Sequence, residues 1–118
     1  VMTSHILFPK IDNSGKPATM SKIILTDMLR SELGFNGVIV TDDMEMGAIA
    51  KNFTLKEAVL GAVSAGADIL LICHSFENQK SAFNELKDAV ENGSISIERI
   101  NESVERIVRL KQKYLDGI

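Results

Sequence analysis

Two adjacent carboxylates, Asp42 and Asp43, follow the apolar run Val38-Ile39-Val40 in the stretch GFNGVIVTDDMEMG, residues 34 to 47. A carboxylate at the end of a strand can attack an electrophilic carbon or accept a proton. Successive strand side chains point to opposite faces, so both acids cannot aim at one substrate while the strand continues. One of them can then serve as nucleophile or general base. The other can orient it, or cap the helical-looking stretch Met44 to Ala50. Two consecutive acids lack the spacing of a calcium loop or of a helical ligand pair, and no His lies near them in sequence. No metal and no other cofactor is expected.

Six further positions have side chains with chemical potential. His5 and His74 each fall near the C-terminal end of an apolar run, where either can line a site or be a satisfied structural residue. Cys73, the single cysteine, closes an apolar run and reads as a buried, inert thiol. Met44 and Met46 can form an apolar wall for a sugar ring or fill the core, and core filling is the expectation for Met46. Asp12, in the loop PKIDNSGKPA, reads as a turn residue among Asn, Ser and Gly.

The elements that must position these residues follow from periodicity. Val1 to Leu7, Gly37 to Thr41 and Asp68 to Cys73 read as strands, the last two almost continuously apolar, as in parallel strands covered on both faces. Ser21 can cap a helix whose Ile24, Leu25, Met28, Leu29 and Leu33 share a face, with Gly34 as its stop. Thr54 and Glu57 form a capping box ahead of Ala58, Val59, Ala62 and Val63, with Gly66 as the stop. Phe76 to Glu91 and Ile97 to Leu115 complete the set, the latter with Ile100, Val104, Ile107 and Val108 inward and Arg106, Arg109, Lys111 and Lys113 near its end.

The order is βαβαβα plus a terminal helix, which means crossover units on a parallel sheet. Two architectures fit: an open doubly wound sheet, or part of an eight-fold barrel, whose units average about 31 residues. By that arithmetic the chain holds three units and a closing helix. Three strands cannot close a barrel and leave two parallel edges unpaired.

Composition narrows the function. The 118 residues are 45% hydrophobic and 25% charged, ordinary for one globular domain. A net charge of −3, with five Phe, one Tyr and no Trp, argues against a nucleic-acid surface. No apolar run approaches the roughly 20 residues of a membrane span, and no signal peptide is visible. The chain starts at Val1 rather than Met, so position 1 is read as internal to a longer gene product.

The strings VMTSHILFPKIDNSGKPATMS, LRSELGFNGVIVTDDMEMGAI and AVLGAVSAGADILLI, with the closing SVERIVRLKQKY, resemble glycoside hydrolase family 3, in its bacterial β-N-acetylglucosaminidase branch. The resemblance implies an α/β fold, the C-terminal portion of a TIM-type (β/α)8 barrel, with residues 1–118 supplying strands six to eight and the closing helices. It implies a retaining exo-enzyme that removes terminal N-acetylglucosamine from cell-wall muropeptides or chitin-derived saccharides. In the family motif the nucleophile directly follows the Ser or Thr that ends the seventh strand, which here makes it Asp42, with Asp43 its neighbour. His5, and Met44 as a sugar wall, would fall at the substrate pocket. The branch takes its acid/base from a His on a Lys-His-Phe-Pro-Gly-like loop between earlier strands. No such string occurs in the chain, so the chain alone is expected to be inactive. The resemblance does not choose between a cytoplasmic and an exported bacterial parent.

Two other classes compete. A receiver domain has this length and an acidic pair, but it also needs an Asp and a Lys at other strand ends. The first and third runs end instead in His5-Ile6-Leu7 and Cys73-His74. A non-catalytic module would use the open edges to pair with itself or with the missing barrel half.

Overall fold

A computed structural model describes residues 1–115; the last three residues of the expected domain lie outside the described part. Strand β1 spans Val40–Asp43 and pairs in parallel with β2, Ile69–Leu71. The N-terminal residues lie along the other edge of β1. Thr3 N–H donates to Val40 O, Val40 N–H donates to Val1 O, and Met2 forms a parallel bridge with Val40. The expected first strand is thus reduced to a single bridge. Beyond Thr3 the chain turns away, and Ile6 O takes the N–H of Ala18 instead.

The helices stand in the order α1 (Gly47–Ala50), α2 (Leu55–Ala65), α3 (Phe76–Glu91) and α4 (Ile97–Leu115). Thr54 and Glu57 close the expected capping box on α2, and Ala58, Val59, Ala62 and Val63 are buried. A π-helix, Ile23–Glu32, precedes β1 where an α-helix was expected. Its i→i+5 bonding turns the chain less per residue than an α-helix does. The intended apolar face therefore drifts: Leu25 is buried, while Leu33 is 75% exposed. The π-helix packs on α2, and α2 packs on α3.

Because the three parallel segments neighbour each other in chain order, right-handed crossovers put these helices on one face of the sheet. That is the winding of a barrel, not of a doubly wound sheet. The core runs beneath them through Ile39, Met44, Ile49, Ala58 and Ala62.

The N-terminal ends of the strands are held by Asp68, whose side chain is fully buried. Its Oδ2 accepts from Ile39 N–H at 2.9 Å and from Arg30 at 2.6 Å. Its Oδ1 accepts from Ser103 Oγ at 2.7 Å and from Arg106 at 2.9 Å, with Arg99 3.8 Å away. Arg99 also donates to Val63 O and Ala67 O. This anchorage decides how α4 is rotated. Arg99, Ser103 and Arg106 face inward, and Val104 and Val108, expected inside, are about half exposed. Arg106 thus serves a buried carboxylate rather than a helix end.

Candidate functional site

The two acids diverge at the end of β1, but the route is more particular than strand alternation. Pairing of Val40 with Ile69 and of Asp43 with Leu71 takes three steps on β1 and two on β2, so β1 carries one extra residue. Such a bulge re-aims the side chains beside it. Thr41, fully buried, repairs the ladder there by accepting Leu71 N–H on its Oγ1 at 3.0 Å.

Asp42, half-buried, accepts the main-chain N–H of Asp43 on its Oδ1 at 2.8 Å. Asp43 is committed elsewhere. Its Oδ1 accepts Glu45 N–H at 3.1 Å and Cys73 N–H at 3.2 Å, and its Oδ2 lies 3.1 Å from His74 Nε2. Burial pushes the Asp43 carboxyl up, but the two N–H groups and the imidazole outweigh it and hold the group below the usual carboxylate range. Asp43 makes an Asx turn and does not cap α1, whose N-cap, Met46, provides no side-chain hydrogen bond.

Glu45 extends the same grip and was not singled out by sequence. Its Oε2 accepts His74 N–H at 2.6 Å and Ser75 N–H at 3.2 Å, and its Oε1 accepts from Asn78 at 2.7 Å. Residues 43 and 45 therefore clasp the loop from β2 into α3. The signal was present as acids two apart, though nothing local named their partners about 30 residues on.

His5 reaches this centre from the N-terminal segment. Its Nε2 lies 2.9 Å from Asp43 O, and its Nδ1 lies 2.9 Å from Thr19 Oγ1. Both ring nitrogens thus have protein partners. Met44 is 2% exposed and belongs to the core, whereas Met46 is 45% exposed. The two methionines exchange their expected places, and a side chain as enclosed as Met44 offers a sugar no face. Cys73 is exposed rather than buried. Desolvation, then the carboxylates of Asp43, Glu45 and Asp42, push its thiol up, which makes it a poor nucleophile. Asp12 makes the expected turn through Ser14 N–H, and also receives the Ser21 hydroxyl at the start of the π-helix.

Among the described residues, no three His, Cys, Asp or Glu gather to hold a metal ion, and no helix is long and apolar enough to cross a membrane.

Parallel strands wound on one face, with an acid at a strand's C-terminal end, define a segment of a (β/α)8-type barrel. The chain belongs to glycosyl hydrolase family 3, whose N-terminal domain matches residues 1–110. It is 36% identical over 129 aligned positions to beta-hexosaminidase A of Pseudoalteromonas piscicida, covering 96% of this chain and 22% of that protein. A glycoside hydrolase family 3 beta-N-acetylglucosaminidase from Paenibacillus sp. strain FPU-7 superimposes with a TM-score of 0.92 at 49% identity, over 95% of this chain and 21% of that one. The beta-N-acetylglucosaminidase from Thermotoga maritima does so with a TM-score of 0.86 at 32% identity, over 99% of this chain and 25% of that one. The chain thus spans about a quarter or less of each of these relatives.

Proposed function

We propose that these residues belong to a retaining exo-β-N-acetylglucosaminidase, as strands six to eight of its barrel, with Asp42 as nucleophile. The observation that carries this reading is the division of labour between the two acids. Asp43 spends its carboxylate on the β2–α3 loop, while Asp42 has one oxygen fixed by a main-chain N–H at the C-terminal end of β1. A pre-oriented carboxylate at that end suits attack on an anomeric carbon. Asp42 displaces the aglycone from one face, forming a glycosyl ester as the glycosidic C–O bond breaks. The leaving oxygen takes a proton from an acid/base group. Water, giving up its proton to the same group, then attacks the opposite face and releases the sugar with its configuration retained.

Neither described His suits the acid/base role, since His5 has both nitrogens engaged and His74 faces Asp43. That group comes from elsewhere in the protein, and the 118 residues alone are inactive. The substrate is a terminal β-linked N-acetylglucosamine of cell-wall or chitin-derived saccharides, in keeping with the relatives' names. The remaining barrel units, or in their absence a second copy, cover the apolar flanks at Met2 and Phe83, which are 58% and 68% exposed.

The test is hydrolysis of an aryl N-acetyl-β-glucosaminide by the full-length protein, with the first anomer released followed by NMR. β-N-acetylglucosamine is expected. The α-anomer as first product would contradict a carboxylate nucleophile.

A further inference from the structure

We infer that His5 is a positioning residue for Asp42, acting through the backbone of Asp43, and not a sugar-binding group. The inference rests on the reading of Asp42 as nucleophile. A carbonyl oxygen only accepts hydrogen bonds, so the contact with Asp43 O requires the hydrogen on His5 Nε2. Nδ1 then faces the Thr19 hydroxyl. Thr19 is fully enclosed, in a short 3-10 turn over Ala18–Met20; its one hydroxyl hydrogen has two acceptors within reach, His5 Nδ1 at 2.9 Å and Ser4 O at 3.1 Å, and its oxygen meets Thr3 Oγ1 at 2.7 Å.

The result is a continuous chain of contacts from the buried Thr3–Thr19 pair, through the imidazole, to the Asp43 carbonyl, in the Asp43–Met44 peptide unit. The same residue's N–H holds Asp42 Oδ1, so Asp43 is restrained on both sides of its α-carbon. This brace falls beside the bulge, where the β1–β2 ladder is irregular and sheet pairing alone fixes the backbone least. It also links three segments distant in sequence: residues 3–5, the turn at Thr19, and the end of β1.

A positioning role and a sugar-binding role predict different kinetics. Thr19 has no exposed surface and cannot touch a substrate. If His5 acts by bracing, Thr19→Val and His5→Gln each lower kcat by about 10- to 100-fold with KM within about twofold. Together they cost little more than either alone, because both break one chain of contacts. Thr19→Ser keeps the hydroxyl and restores kcat, which separates loss of the bond from a failure to fold. The assay uses the full-length protein and an aryl N-acetyl-β-glucosaminide. A rise in KM for His5→Gln with Thr19→Val unaffected would overturn the positioning role while leaving the glycosidase reading intact. A wild-type protein inert toward the substrate would overturn the glycosidase reading, and the positioning role with it.

Discussion

Asp43 gives its main-chain N–H to Asp42 and its carboxylate to the loop that starts at Cys73, so one residue orients the neighbouring acid and ties β1 to the end of β2. A lone strand end would let the Asp42 carboxylate sample several rotamers. Here one oxygen is fixed at 2.8 Å by a group that is itself restrained on both sides. Position at the C-terminal end of β1 is what singles out Asp42.

The clasp formed by Glu45 predicts a local change in dynamics. Glu45→Ala removes the acceptor of both amides, so hydrogen exchange at His74 and Ser75 should speed up by about 10-fold. Amide exchange followed by NMR reads this directly. Unchanged protection at both amides would show that the loop is held by something else.

Asp68 is expected to matter for stability. Asp68→Ala strips the buried partner from Arg30 and Arg106, leaving guanidinium groups with side chains 12% and 18% exposed. Breaking a buried pair from one side costs about 3–5 kcal/mol. Denaturant titration should show a midpoint shift of that order, and a shift below about 1 kcal/mol would contradict the assignment of Asp68 as the hub.

Acid should loosen the fold through Asp68 and Asp12. Burial pushes the Asp68 carboxyl up, but Ile39 N–H, Ser103 and the charge of Arg30 hold it below the usual range. Hydrogen bonds from Ser14 and Ser21 hold Asp12 at about 2. Both groups are depressed on folding, so the stability they contribute is fully present above an unfolded value of about 3.9 and is lost as pH falls through the folded value. For Asp12 that window runs from about 4 down to about 2. Denaturant midpoints measured across it should fall, and should fall less steeply in Asp12→Asn. An equally steep fall in the variant would remove Asp12 from the account.

The parts of this architecture legible in the sequence are those set by local signals. The bounds of α3 and α4 follow from the Phe76 and Ile97 patterns, and α2 from the Thr54–Glu57 capping box, because caps and helical period act within a few residues. Asp42 stood out because an acid interrupts an apolar run. The bulge beside it did not, since no Gly or Pro announces it and the Thr41 side chain is what makes it tolerable. The π-helix was hidden because its apolar spacing also fits an α-helix. His5 could be flagged, but its partners Thr19 and Asp43 lie 14 and 38 residues away and are joined only by the fold. The Asp68 cluster had a faint signature in Arg99, Ser103 and Arg106, spaced to share one helix face. Of the three, sequence flags only Arg106, as a charge near a helix end.

The measurement closest to the central claim compares Asp42→Ala with Asp43→Ala in the full-length protein, using an aryl N-acetyl-β-glucosaminide. Removing the nucleophile should lower kcat by about 10³-fold or more. Removing Asp43 keeps the main-chain N–H that holds Asp42 and should leave measurable turnover. Equal loss from both substitutions, or greater loss from Asp43→Ala, would contradict the assignment of Asp42 as nucleophile and Asp43 as its support.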